Sequence, residues 1–544
     1  MSKLRWSVDS LSLRGRSVFG FGWLFHEALD VRKVAVVLCD EHWRPLSSIP
    51  VEWGKYRPDV ARVFNGNPRA QEAGYLVIGA FSQDIPRTHR LKLTVALSDG
   101  DTAELKIPQD KLIALDARRT ASKVIALRQA GALIRKGLHQ ISTGQWSSFL
   151  GKVTRFVRGR PKAFLDHPRQ LAAKLSHHER QRVSIIIDHD LGGGANQFRE
   201  RLIKEMLARG QTVLIYCFHL ATLSPVIVVR GRNHAGRYAI SGEGFLLDLA
   251  GRLCVAEVVY NTAVSFAEPE TIPDLLIGLK QLTGARLLLL VHDYFVVCPS
   301  HFLLNDQGEY CDLPAKEVCD RCIKVTEQTF VSFYQSGTIS EWRYRWLKAM
   351  RSADEIRVFS ESSFALLRRA YPDLPTAKVV VKPHTAEHLP FPPLCLNGGE
   401  HLRLGVVGQI GFHKGGKFLQ ALASEIERRG SSIRIVVIGT MESASSSGIV
   451  SHTGAYRQDQ LPAFIEKSGA NVMLFPSIWP ETFSYVVQEL MALDLPVASF
   501  SLGAPAERLG AYPKGLILRS MNPSSVLDEL IDFHRRLYLS RESS

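Results

Sequence analysis

Two glutamates, Glu481 and Glu489, lie in the stretch Phe475-Pro-Ser-Ile-Trp-Pro-Glu-Thr-Phe-Ser-Tyr-Val-Val-Gln-Glu-Leu-Met-Ala-Leu-Asp-Leu-Pro-Val497. The spacing excludes a close acid/base pair, because one carboxylate precedes a predicted helix and the other sits about two turns inside it. It suits two grips on one extended ligand, since a carboxylate accepts hydrogen bonds from hydroxyls. A sugar at one glutamate, a ribose at the other and a diphosphate between them fits that distance. The elements around them read as strand, loop, helix, strand: Val472 to Phe475 is apolar, Pro476 and Pro480 break it, Thr482 or Ser484 caps the helix, and Pro496 stops it. The loop therefore ends at a helix N-terminus, whose free amides and dipole favour a phosphate.

Three further groups are suited to chemistry. Lys414 sits in Leu402-Arg-Leu-Gly-Val-Val-Gly-Gln-Ile-Gly-Phe-His-Lys-Gly-Gly416, a strand followed by a glycine loop with one cation, which predicts a second phosphate site. Gly192, Gly193 and Gly194 follow the β-run Val183-Ser-Ile-Ile-Ile187 and precede a helix, so backbone can approach a ligand closely there. His292 follows the run Arg286 to Val291, at the end of a parallel strand where α/β folds place ligands, with Asp293 beside it to orient the ring. Four of the eight cysteines, Cys298, Cys311, Cys319 and Cys322, are grouped in sequence, two of them as C-x-x-C. They suit a structural zinc, unliganded thiols or disulfides. Cys39, Cys217, Cys254 and Cys395 stand singly in apolar runs and read as core.

A chain of 544 residues with 45% hydrophobic and 22% charged residues is a soluble globular class with room for several domains. No apolar run is long enough for a membrane span, and Met-Ser-Lys-Leu-Arg-Trp-Ser has no signal-peptide core, so a cytoplasmic protein is expected, either free or at the inner face of the cell membrane. Between Lys111 and Arg182 sixteen Lys and Arg face three acids (Asp116, Asp166, Glu179), a surplus of 13 in a chain whose net charge is +14. The remainder is nearly neutral, which excludes a nucleic-acid-binding surface over the catalytic body. Residues 1–112 show short alternating runs and turns, an all-β sandwich by pattern, whose Trp23, Trp43 and Trp53 either stack on a glycan or fill the core. Residues 113–182 form a basic helical connector. In it, Trp146 to Arg158 places apolar residues on one helical face and Lys152, Arg155 and Arg158 opposite, either to lie on an anionic membrane surface or to pack on the next domain. An α/β domain follows over 183–388 with a Cys-rich insertion at 298–322. A Pro-rich linker opens a second α/β domain over 389–524, and residues 525–544 supply a last helix.

The words Pro-Glu-Thr-Phe-Ser and Gln-Glu-Leu-Met-Ala-Leu-Asp-Leu-Pro-Val resemble the Glu-x7-Glu signature of family 4 retaining glycosyltransferases of GT-B fold. His292-Asp-Tyr with Cys298-Pro is similar to a motif of polysaccharide-assembling members, and Arg57-Pro-Asp-Val60 with Gly74-Tyr75 to a β-sandwich accessory domain of surface-polysaccharide enzymes. The resemblance covers about residues 183–520. It implies two Rossmann-like domains facing a cleft, preceded by the sandwich and the connector, with the last helix crossing back to the first domain. It implies a nucleotide-diphosphate-sugar donor and a surface-polysaccharide or lipid-linked glycan acceptor, as in O-antigen or capsule synthesis. Transfer would retain anomeric configuration with no cofactor required for catalysis. Glu481 and His292 would then meet the donor sugar and Lys414 the diphosphate. Gly192, Gly193, Gly194, Gln409, Thr482, Phe483, Ser484 and Glu489 would complete the donor site, with Glu489 on the ribose. Two positions depart from the pattern: Gln409 stands where the family carries Arg, and Ser484 where it carries Gly. A nucleotide-sugar 2-epimerase and a catalytically silent glycan-binding or scaffolding subunit are the alternatives to the transferase.

Overall fold

The computed structural model describes residues 3–115, 161, 163–175, 182–232, 234–326, 330–384, 392–394, 396, 401–442 and 448–539. The basic amphipathic segment Trp146 to Arg158, most of the connector and most of the Pro-rich linker lie outside the described residues.

The first residues form two facing sheets. One has five strands, in the order Glu52–Lys55, Gly74–Ala80, Ser17–His26, Leu4–Arg14 and Leu112–Ala114; the other has four, Pro45–Pro50, Val31–Cys39, Arg90–Leu97 and Thr102–Lys106. Alternation of the sequence sends Val34, Val36, Leu91, Leu93 and Val95 inward to meet Val8, Leu11, Val18 and Val77. Trp53 packs against this core, whereas Trp23 joins a separate apolar cluster with Phe25 and Phe64. Trp23 stacks edge-on with Phe64, and Trp53 donates its indole N–H to the carbonyl of Leu24. Trp43 is covered by two cations, Arg90 at 5.2 Å and Lys106 at 4.6 Å from its ring.

The first α/β sheet runs Ala163–Phe164, Ala235–Ala239, Ser224–Arg230, Thr212–His219, Val183–Ile187, Val255–Tyr260, Arg286–Leu290, Glu355–Val358 and Val379–Val381. Its central strands are parallel and buried on both faces, as their continuous apolar runs require. Thr212–His219 then turns back through two antiparallel strands instead of continuing the βαβ pattern.

The second α/β sheet is wholly parallel, in the order Val450–His452, Arg434–Met441, Arg403–Ile410, Val472–Phe475, Val497–Phe500 and Gly515–Leu518. Numbered by sequence, this is 3-2-1-4-5-6, a doubly wound order that reverses between Arg403–Ile410 and Val472–Phe475. The crevice at their carboxyl ends is where such sheets receive ligands.

The last helix, Pro523–His534, differs from the crossover expected of it. Val526, Leu527, Leu530 and Phe533 enter the core of the second α/β domain beside Leu419 and Leu422 of the helix Gly416–Arg428, and Arg429 pairs with Asp528 at 2.5 Å. Among the described residues no helix is long and apolar enough to cross a membrane.

Candidate functional site

The crevice of the second domain is built by two glycines that let three backbones crowd together. Gly415 caps the helix Gly416–Arg428 at φ +82°, and a Cβ there would lie 2.0 Å from the carbonyl oxygen of Pro476. Gly503, at φ +57°, would place a Cβ 2.5 Å from the carbonyl carbon of Pro480. The loop from Pro476 to Ser484 is thus clamped from both sides, and only glycine tolerates either approach.

Within this clamp Glu481 is 3% exposed. Lys414 Nζ donates to its Oε1 at 2.5 Å and Ser477 Oγ donates to the same oxygen at 2.8 Å. The cation of the glycine loop and the first glutamate of the pair therefore meet, although 67 residues separate them. Ser477 was not singled out from sequence; its place four residues before Glu481, just after the strand end, was the available signal. Ser484 caps the helix Tyr485–Ala492, its Oγ accepting from the Val487 amide at 3.3 Å, so the serine found in place of glycine does the work of a cap. Glu489 lies on the same helix, buried and apart from Glu481. Gln458 Nε2 donates to its Oε1 at 2.7 Å, and burial pushes its carboxyl above the usual range. Gln409 is exposed at the end of its strand.

The loop also reaches the first domain. Thr482 Oγ1 donates to the carbonyl oxygen of His292 at 2.7 Å. Tyr485 packs 3.3 Å from where a Cβ on Gly194 would be, and its hydroxyl meets Arg201 and, at 3.1 Å, His384 Nδ1. The glycine loop of the first domain is itself braced: Gly192 N–H donates to Asn196 Oδ1 at 2.6 Å, while Asn196 Nδ2 and Arg199 Nη1 donate to the fully buried Asp188 at 2.9 and 2.8 Å. Gly193 caps the helix Gly194–Ala208 at φ +89°.

His292 enters an aromatic nest, stacked on Phe359 with ring centroids 4.5 Å apart, edge-on to Phe198 at 4.9 Å, and 5.4 Å from His384. Its Nε2 is buried without a partner among the described residues. Burial, and then the neighbouring His384, His189, Arg201 and Arg357, hold it well below the usual histidine range, so it is a neutral ring at pH 7. Asp293 does not orient it. That carboxylate accepts from Thr262 Oγ1 at 2.8 Å and from the Phe295 amide at 2.9 Å, and burial raises it to about 6. The sequence reading also passed over Arg201, His384 and Arg508. His384 follows the parallel strand Val379–Val381 as His292 follows its own, and the same strand-end rule applies to both. Arg508 lies 5.1 Å from the ring of Phe483, with Nε buried and unpartnered among the described residues.

The clustered cysteines are near enough in space that a charge on one would raise its neighbours. However, Cys319 turns its sulfur to the carbonyl of Pro314 at 3.8 Å, and among the described residues no group of three or more His, Cys, Asp or Glu is placed to hold a metal ion. Of the three alternatives, a structural zinc finds no assembled ligand set among the described residues, and the described cysteines are free thiols. Cys254, expected in the core, is exposed, because it lies in the turn between Glu243–Ala250 and Val255–Tyr260.

Residues 398–536 match the family described as glycosyl transferases group 1. The matched span holds Gln409, Lys414, Glu481 and Glu489 but neither His292 nor the Gly192–Gly194 loop. Among curated proteins none matches the sequence. Solved structures similar to the chain include HepE of Anabaena in complex with UDP and glucose, at 14% identity, covering 64% of this chain and 89% of that one with a TM-score of 0.41. They also include a sucrose-phosphate synthase from Thermosynechococcus elongatus, at 17% identity over 65% and 90% with a TM-score of 0.42. A glycosyltransferase from Rickettsia africae has 12% identity over 66% and 91%, with a TM-score of 0.39. The second α/β domain carries this match, which supports glycosyltransferase activity.

Proposed function

We propose that the protein moves a sugar from a nucleotide-diphosphate donor, seated in the crevice of the second α/β domain, to a hydroxyl of a surface-polysaccharide or lipid-linked glycan facing the first domain, with retention at the anomeric carbon. The observation that carries this reading is the Lys414, Glu481 and Ser477 constellation at the reversal of strand order, where a doubly wound sheet receives its ligand. Lys414 meets the charge that develops on the departing diphosphate, together with the amides that open the helices at Gly416 and Tyr485. Glu481 accepts hydrogen bonds from donor-sugar hydroxyls and Glu489 from the ribose. With Gln409 neutral and exposed, the diphosphate relies on Lys414 and on those amides. The acceptor oxygen forms a bond to the anomeric carbon as the bond from that carbon to the diphosphate oxygen breaks, and the acceptor proton passes to that leaving oxygen. His292, a neutral ring held from the first domain, lines the donor-sugar side of the cleft.

The test is thermal unfolding in the presence of UDP, GDP, dTDP, CMP and ADP, since a ligand that binds only the folded state raises Tm. One nucleoside diphosphate is expected to raise Tm in the wild type and far less in Glu489→Ala. No shift with any of them, in folded protein, overturns the reading.

A further inference from the structure

A cavity of about 670 Å³ lies where the sandwich and both α/β domains meet. The sandwich supplies Phe19, Leu76 and Ile78 on one side and Glu52 and Lys55 at another; the first α/β domain adds Phe218, Phe302, Leu304 and Phe330, and the second Phe412 and His413. The sandwich is fixed to both partners. Ile78 and Ala80 pack with Phe333, and Gly79 approaches so closely that a Cβ there would lie 2.6 Å from that of Ser332. Across the cleft Lys55 pairs with Glu442 at 3.3 Å, and the Tyr56 amide donates to the Glu442 carbonyl at 3.2 Å. A module that merely trailed from the enzyme would not bond to the second α/β domain while its sheet face rests on the first.

The cavity shares a wall with the crevice. His413, next to Lys414, stacks on Phe302 with centroids 4.2 Å apart and rings within 12°, and Phe302 lies 4.7 Å from Trp479, two residues before Glu481. Whatever fills the cavity therefore lies beside the reacting end of the crevice. The lining decides its chemistry. Charged groups on the wall are already engaged, Asp190 by Arg237 and Lys55 by Glu52 and Glu442. Among the described residues, His301, 9% exposed, has a buried Nδ1 without a partner. A glycan needs a hydrogen-bonding group for each buried hydroxyl, whereas eleven of the eighteen residues on this wall are apolar and its acids and Lys55 are already paired. An apolar chain with a single polar join needs only what is present.

Resting on the reading of the chain as a transferase to a glycan acceptor, we propose that this cavity takes the apolar carrier of a lipid-linked acceptor, and that the N-terminal sandwich is one wall of the acceptor site. The carrier lies against Phe19, Leu76 and Ile78 of the sandwich, which places its sugar end next to Lys414 and Glu481.

The test titrates the full chain calorimetrically with n-octyl and n-decyl β-maltoside below their micelle concentrations, and with maltose. The maltosides are expected to bind, each added pair of methylenes tightening affinity by roughly tenfold, and maltose is expected not to. Leu76→Trp, which fills the cavity from the sandwich side, is expected to weaken the decyl compound at least tenfold while leaving the nucleotide-induced Tm rise unchanged. Phe19→Ala, which removes a wall, is a second variant and is expected to lose several-fold. Equal affinity for both chain lengths, or unchanged decyl maltoside affinity in whichever of the two variants folds, overturns the proposal. The donor reading stands or falls separately on the nucleotide-induced rise in the wild type.

Discussion

Replacing Lys414 with Met removes the ammonium and keeps most of the stem, so it isolates the charge. Two effects follow, on different scales. In the folded protein Glu481, with 4% of its side chain exposed, loses the partner at 2.5 Å and keeps Ser477 at 2.8 Å. A hydrogen bond to a charged group contributes about 1.5–3 kcal/mol, and Lys414 keeps 30% of its side chain in solvent, which places the loss toward the lower end, about 1–2 kcal/mol. A fall in Tm of several degrees is expected. In the proposed reaction the ammonium faces charge that appears only as the diphosphate leaves, and removing one such preorganised group costs about 10² to 10³ in kcat, or roughly 3–4 kcal/mol. Turnover should therefore fall far more than stability. The partner change, Glu481→Gln, keeps the Ser477 contact and loses the ion pair. Because each residue holds the other in place, the double variant should lose much less than the product of the single losses. The assay is nucleotide release at saturating donor with and without acceptor, run beside urea unfolding. A folded Lys414→Met enzyme with kcat within threefold of wild type would falsify the leaving-group role; losses that multiply in the double variant would refute the coupling.

Two further outcomes can be measured. Gly415→Ala puts a Cβ 2.0 Å from the Pro476 oxygen at a φ of +82°, which alone costs about 1–2 kcal/mol for a residue with a side chain; stability is expected to drop by more than that and turnover to collapse, because the displaced loop carries Ser477 and Glu481. Near-normal turnover in this variant would mean that the clamp does not set the site. Asp293 has a folded value of about 6 against an ordinary 3.8, so between those values the folded state holds a proton that the unfolded chain has released, and stability falls as pH rises through the window and levels off above it. At about 1.4 kcal/mol per tenfold change in proton affinity the effect is of the order of 2–3 kcal/mol. Urea unfolding at pH 4 and pH 7 should show this fall in the wild type and a smaller one in Asp293→Asn; equal pH dependence in the two proteins would contradict the burial argument.

The parts of this molecule that were legible in the sequence are those whose cause is local. The run Val183 to Ile187 is aliphatic at every position but Ser184 because both faces of its strand are covered, and Gly415 is glycine because the chain takes a positive φ there as it enters a helix; each leaves its mark within a few residues. The loop holding Glu481 could be placed for the same reason, since Pro476, Pro480 and the cap at Ser484 delimit it without reference to the rest of the chain. What could not be read is what distant segments decide. Asp293 sits beside His292 in sequence, yet Thr262, 31 residues earlier, and the Phe295 amide claim its carboxylate. The helix Pro523–His534 has an apolar stripe that fits either domain, and only the hole beside Leu419 and Leu422 selects one. Tyr485 lies inside the motif, but its part in the site comes from Arg201 and His384, on elements 284 and 101 residues away. The sandwich is the extreme case. Its inward faces obey a two-residue period that any sandwich obeys, while its contact with the cleft depends on Lys55 meeting Glu442 across 387 residues, a pairing with no signature in either neighbourhood. A domain that reads as an appendage from its own pattern becomes part of a cavity wall once that pairing is formed, so the sequence reading missed that cavity for a physical reason: its wall is shared among three domains, and none of them encodes it alone.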